Sequence, residues 1–263
     1  MKWWQGFLIN LQFFTVIPVR REIPMERESL TRSVQTFPVL GLMQGILSSA
    51  LLYGLIEWTP FSTLAVAFIL WVFMMALTGG IHLDGWMDAS DAFFSYRGLE
   101  KRLEIMKDPR TGAFGVLSVL VLLSARFLFL YEIAQQAELL SYILIATIPF
   151  FSKSVMGFFL ATIRPAKEEG LAHFFQQAIQ RSCLWVYPVY FILIAGITAL
   201  SSIDVFLLIF LLSGVTVLAA QLMKKKITSW FGGITGDVLG ASVEGTEVLL
   251  WMTVWLLHYF VMG

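Results

Sequence analysis

The sequence contains one cysteine, Cys183, in 263 residues. No intramolecular disulfide can form, and nothing argues for an oxidising compartment. There is no excess charge of either sign, since 18 Lys and Arg balance 18 Asp and Glu. A chain without a basic surplus is not expected to bind nucleic acid. Charge of any kind is scarce: 14% of residues are charged and 58% are hydrophobic, which is too apolar for a soluble domain of this length. No internal repeat, low-complexity stretch or separate polar domain is visible. No cleavable signal peptide is expected, because the apolar stretch after Lys2 is interrupted by Gln5, Asn10 and Gln12 and lacks a small-residue cleavage site.

What is present is a series of long apolar segments. The expected architecture is all-α, a polytopic integral membrane protein forming one domain over residues 1–263. Seven transmembrane helices are predicted over Phe37–Ile56, Phe61–Leu77, Ala113–Tyr131, Leu139–Ile163, Leu184–Leu200, Ile203–Leu222 and Val238–Val261. Trp3–Val19 is aromatic but amide-rich, and reads as an interfacial helix ending before Pro18. The loops at 20–35, 78–112, 164–183 and 223–237 hold four, five, three and three Lys and Arg, and the intervening loops hold none. This alternation predicts a multi-pass protein of the cell membrane with the charged loops in the cytoplasm.

The densest charge lies between the second and third predicted spans, from Thr78 to Gly115. On a helix, Asp84, Asp88 and Asp91 stand at i, i+4 and i+7, within an arc of roughly 60°. Three carboxylates on one face repel unless a cation lies among them. Mg²⁺ is the natural choice, because it takes oxygen ligands and shares them with substrate phosphates. His82 precedes this face and joins it only if the helix starts after it. Lys107, Asp108 and Arg110 lead into Gly112 and Gly115, a glycine-flanked helix start suited to an anion. A second acidic stretch, Gly232 to Glu247, carries Asp237 and Glu244 seven residues apart on one face. Acids within a span are costly and point to function. Arg126 and Lys153 also lie within spans, where they could pair with these acids.

Several stretches together resemble one family. GGIHLDGWMDASDAFFS, LEIMKDPRTGAFG and GGITGDVLGASVEGTE occur in the order found in cobalamin synthases, the adenosylcobinamide-GDP ribazoletransferases. FFTVIPV, FPVLGLMQG and Lys167-Glu168-Glu169-Gly170-Leu171 fit the same family, so the resemblance runs from about Phe13 to Glu247. There are departures, among them Val16, Trp86 and Met87, Ala92, Thr111 and Lys153, but none touches an aspartate.

The resemblance implies transfer of the adenosylcobinamide phosphate moiety of adenosylcobinamide-GDP to α-ribazole or its 5′-phosphate, with release of GMP. In that reading His82 and Asp84 are catalytic, and Asp84, Asp88 and Asp91 hold Mg²⁺. Lys107, Asp108, Arg110, Asp237 and Glu244 bind substrate. The partners are the two substrates and the lipid bilayer, and a homo-oligomeric state stays open. A CDP-alcohol phosphotransferase also clusters aspartates at a membrane face, but its usual Asp-Gly-x-x-Ala-Arg is missing, since Asp84-Gly85 is followed by Trp86-Met87-Asp88-Ala89. A cation-coupled transporter would use Glu244, Glu247, Arg126 and Lys153, and would not need the Asp84–Arg110 island.

Overall fold

In the computed structural model, which describes residues 2–262, each of the seven apolar segments is a helix. The order is α1 (Lys2–Phe14), α2 (Arg27–Trp58), α3 (Thr63–Thr78), α4 (Ile81–Phe94), α5 (Leu99–Ile105), α6 (Ala113–Gln135), α7 (Leu139–Thr162), α8 (Gly170–Ala178), α9 (Val186–Ser201), α10 (Ile203–Phe231) and α11 (Gly236–Phe260). A 3₁₀ turn, Arg181–Trp185, leads into α9. Five helical segments are long and apolar enough to cross a membrane, or six if α3 and α4 count as one broken span. The chain is thus an all-α, multi-pass membrane protein. The 25-residue α11 is long enough to cross but falls outside that set, and it is the helix that carries Glu244 and Glu247.

Helix α2 begins ten residues before the predicted span because α1 is bound to its polar first turns. The buried Asn10 donates from Nδ2 to the Ser33 carbonyl at 2.8 Å and to Thr36 Oγ1 at 2.9 Å. Its Oδ1 accepts from the Ser33 hydroxyl. A Cβ on Gly6 would lie 2.5 Å from the Arg32 and Ser33 backbone. At about 1.5 Å per residue, α1 spans only ~20 Å and is too short to cross a bilayer.

Further along α2, Gly41 and Gly45 sit four apart, and a Cβ on either would come within 2.1 Å of a carbonyl oxygen of α7. This small-residue stripe lets α2 and α7 touch backbone to backbone, as membrane helices do where apolar burial alone gives no drive to associate. Gly79 and Gly80 take left-handed backbone at φ 65° and 75°, a conformation that a Cβ disfavours. The chain turns there by 85°. Helix α4 therefore runs nearly perpendicular to α3.

The interior has two apolar layers. One, at the α4 end, includes Val34, Phe37, Phe159, Phe175, Val238 and Val243. The other includes Leu52, Leu70, Ile133, Leu144, Leu250 and Trp251. Between them in sequence, on α7 and α11, lie the buried Lys153, Glu244 and Glu247, and Arg126 of α6 joins them.

Candidate active site

Four segments meet at the α4 end of the bundle. The α7–α8 loop pairs with the α10–α11 loop through a short parallel bridge, Pro165 to Ile234. Ile234 N–H donates to the Arg164 carbonyl at 3.0 Å, and Ala166 N–H donates to the Ile234 carbonyl at 2.9 Å. Gly233 is required there, since a Cβ would lie 2.4 Å from the Arg164 oxygen. Helix α4 crosses the start of α11 just as closely: a Cβ on Gly85 would sit 2.7 Å from the Asp237 carbonyl oxygen. The two glycine-rich stretches thus place Asp237 against the turn that carries Asp84 and Asp88.

Between these segments is a cleft of about 580 Å³. His82, Asp84, Asp237, Lys107, Lys167 and Glu169 give it one polar side, and Phe14, Phe37 and Phe175 give it an aromatic one. Gly236, the first residue of α11, also lines it, and a Cβ there would touch nothing. Packing therefore does not demand that glycine, whereas a ligand approaching the amide end of α11 would benefit from it. Thr235 caps α11, accepting from Val238 N–H at 3.2 Å, and its hydroxyl reaches Asp237 Oδ2 at 3.3 Å. His82 lies inside α4, which starts before it at Ile81, yet it still lines the cleft with Asp84, and it is 3% exposed. Its ring stacks on Phe14 at 5.8 Å, and its Nε2 has no hydrogen-bond partner. Lys107 forms an ion pair with Glu169. Lys167 donates to the Leu103 carbonyl at 2.7 Å, leaving two of its three N–H groups unused by that contact. Burial, and then the charge of Lys107, lower the Lys167 pKa.

The three aspartates of α4 differ in their hydrogen bonding. The spacing predicts Asp91 as a third metal ligand, but in the structure it caps α6. Its Oδ2 accepts from Gly112 N–H at 2.6 Å and its Oδ1 from Gly115 N–H at 2.8 Å. Asp84 and Asp88 carry no such bonds. Burial, followed by the charges of Asp84, Asp237 and Asp91, pushes the Asp88 pKa up to about 7. Among the described residues no three His, Cys, Asp or Glu side chains form a closed metal-binding group. An open set still fits Mg²⁺, which is usually held by one or two carboxylates with water and substrate phosphates. The donors here are all hard oxygens, and like charges crowd Asp88. Asp84, Asp88 and Asp237 are the groups suited to hold such an ion.

A family model described as cobalamin-5-phosphate synthase matches residues 6–255. The chain belongs to that family. Among its curated relatives, one from Geobacillus kaustophilus is 41% identical, covering 99% of this chain and 98% of the relative. Another, from Geobacillus sp. (strain WCH70), is 39% identical, covering 98% of each. Both carry the name adenosylcobinamide-GDP ribazoletransferase. No solved structure matches.

Not every residue expected at the site reaches the cleft. Arg110 points to solvent and is bound to Asp108, with its Nε and Nη2 donating at 2.9 and 2.7 Å. That contact holds the Asp108 carboxyl at about 2. Glu244 lies deeper, in a buried ion pair with Arg126 at 2.5 Å. Glu247 lies 3.7 Å from both Arg126 and Lys153 and accepts from the Ser152 hydroxyl at 2.8 Å. Conversely, Lys167 and Glu169 line the cleft although charge spacing does not mark them as site residues. The signal for them was the Lys167–Leu171 stretch, which matches the family although no helix period marks it.

Proposed function

We propose that this protein is an adenosylcobinamide-GDP ribazoletransferase acting in cobalamin biosynthesis. The single observation that carries the reading is the cleft. It gathers His82, Asp84, Asp237, Lys107 and Lys167 from separate family-matching stretches into one cavity. A diphosphate donor needs positive charge around its oxygens and an acceptor for the attacking hydroxyl's proton. Lys107 and Lys167 supply the first. The unpartnered His82 Nε2 supplies the second. The aromatic wall of Phe14, Phe37 and Phe175 provides a stacking surface for a planar base.

In the reaction the ribazole hydroxyl oxygen forms a bond to the phosphorus that bears cobinamide. The bond from that phosphorus to the bridging oxygen breaks, and GMP leaves with the bridging oxygen. The hydroxyl proton passes to His82. Mg²⁺ held by Asp84, Asp88 and Asp237 would neutralise charge on the diphosphate and on the departing phosphate. Asp91 fixes the start of α6 and thereby the loop that carries Lys107. Four more features belong to this proposal: seven crossings of the cell membrane, the cleft on the cytoplasmic side, α-ribazole or its 5′-phosphate as acceptor, and a homo-oligomeric state left open. Placing the cleft in the cytoplasm follows from the basic loops and agrees with where a nucleotide-linked donor is found.

Two other readings have less support. A phospholipid-forming CDP-alcohol phosphotransferase lacks its motif here. A transporter path through Arg126, Lys153, Glu244 and Glu247 meets four charges already paired with each other.

The test is direct. Purified protein receives adenosylcobinamide-GDP, α-ribazole and Mg²⁺, and GMP release is followed. Turnover that requires both organic substrates is expected, and its absence in protein that is folded and inserted would defeat the proposal. Maleimide labelling of Gly98→Cys in a Cys183→Ser background checks the orientation. Reaction from outside intact cells would contradict it.

A further inference from the structure

A second and larger cavity lies on the other side of α4. It is a lateral groove of about 900 Å³ between α6 and α10, with α11 as its floor. Helices α6 and α10 both pack against α11 but make almost no contact with each other, so the gap opens sideways. Along α11 the lining runs from Val238 to Met252, about 21 Å at 1.5 Å per residue. That is most of the depth of a hydrocarbon core of about 30 Å. The walls are almost wholly apolar, and the upper end differs. Lys226 lines it, with its ammonium 5.1 Å from the Trp230 ring centroid. Lys226 forms none of the ion pairs among the described residues. Trp86, on α4, lines the same end, and its shielded indole N–H has no acceptor in the protein.

We propose that this groove binds one anionic phospholipid. Its phosphate meets Lys226, and an acyl chain follows α11 along the apolar walls. The charge pattern selects this occupant. A cation at one end of a long apolar trough complements a molecule with an anion at one end of a long apolar chain. A second copy of the chain fits poorly. A two-fold axis along the membrane normal would bring the same depth of each copy together and set lysine end against lysine end. The groove matters for catalysis because α4 is its upper wall. Trp86 and Phe93 face the groove, while Asp84 on the same helix lines the catalytic cleft. The lipid therefore braces α4 from behind, and the position of the carboxylates depends on the membrane that holds the enzyme.

The test reads lipid first and activity second, so it does not rest on the transferase reading. The full chain is reconstituted in nanodiscs of equal phosphatidylcholine and phosphatidylglycerol, transferred to mild detergent, and weighed by native mass spectrometry. The expected result is one retained phosphatidylglycerol per chain, favoured about fivefold over phosphatidylcholine, the effect of one lysine at an anionic surface. Lys226→Gln should erase the preference, and Ser118→Trp, which fills the groove, should erase retention. GMP release by the unaltered chain should fall severalfold in nanodiscs of phosphatidylcholine alone. Equal retention of the two lipids, a preference unchanged in Lys226→Gln, or a dimer mass in place of a lipid adduct would overturn the proposal. Because the selectivity of the unaltered chain is decisive by itself, a Ser118→Trp variant that fails to fold leaves the test intact. Activity that ignores lipid while selective retention persists would overturn the bracing role.

Discussion

The molecule holds two charged clusters that obey opposite rules. The buried one has two cations and two anions: Arg126, Lys153, Glu244 and Glu247. Each has an opposite charge beside it, and the set lies between two apolar layers. The other cluster has one sign: Asp84 and Asp237 line the cleft, and Asp88, which does not line it, lies one turn further along α4. Among the described residues none of these three carboxylates lies within ion-pair distance of a Lys or Arg. A closed set of charges is complete within the protein and holds helices together. An open set of like charges at a cleft is complete only when something positive arrives from outside.

The largest expected effect breaks the open cluster. Asp84→Asn keeps size and hydrogen bonding but removes charge. It should leave insertion and thermal stability near those of the unaltered chain, while GMP release falls by about 100-fold, a usual cost for losing one electrostatic contact to a reacting phosphate. Unchanged turnover at limiting Mg²⁺ would remove the cleft carboxylates from the mechanism.

The same experiment on the closed cluster should give the reverse pattern. Arg126→Leu leaves Glu244 buried without its partner, at a cost of about 3–5 kcal/mol. Arg126→Leu with Glu244→Leu removes both charges and should recover most of that loss, because a buried ion pair is worth little more than apolar residues of its volume. Thermal unfolding in detergent measures both. If the single and double variants lose equal stability, the network is not held by that pair. If the double variant folds but fails to turn over, Glu244 acts in the reaction after all.

How much of this contrast the sequence revealed depends on the feature. Helix positions were legible because the spans are apolar runs bounded by charge. The early start of α2 was not, since Arg27–Thr36 is polar and is held by Asn10 and Gly6 of another helix. Asp237 and Glu244 share a face by period, but seven residues also separate them by about 10 Å in depth. A helical wheel discards that depth, and depth puts one at the cleft and the other in the ionic layer. Asp91 is the third case. Periodicity put it with Asp84 and Asp88 and could not show which amides come to meet it. One signal did exist: Gly112, the N-cap of α6, has no side chain to cap with, so an acceptor had to come from elsewhere.

That assignment of Asp91 sharpens the comparison within α4 itself. Asp91→Ala should lower stability by about 1 kcal/mol, the usual effect of a lost cap. Asp91→Asn, which still accepts with its carbonyl oxygen, should lose less. The apparent Mg²⁺ requirement should not change in either. A raised Mg²⁺ requirement that extra Mg²⁺ relieves would make Asp91 a ligand.

The remaining contrast is a slope with pH. Asp88 has a pKa near 3.9 in the unfolded chain and about 7 in the folded one, raised by burial and by Asp84, Asp237 and Asp91. Between those values the folded state binds more protons than the unfolded state, so stability must fall as pH rises through that window and level off above it. Asp88→Asn removes the group and its repulsion. The variant should therefore gain on the unaltered chain as pH rises from 5 to 8, with the difference in unfolding temperature widening across that interval. Mg²⁺ should narrow the gap by supplying the charge that the cluster lacks. The measurement is thermal unfolding of both proteins in detergent at pH 5 and pH 8, with chelator and then with Mg²⁺. A constant gap across pH would mean that Asp88 titrates as an ordinary carboxylate. The cleft would then lack the uncompensated negative charge that sets it apart from the sealed cluster below.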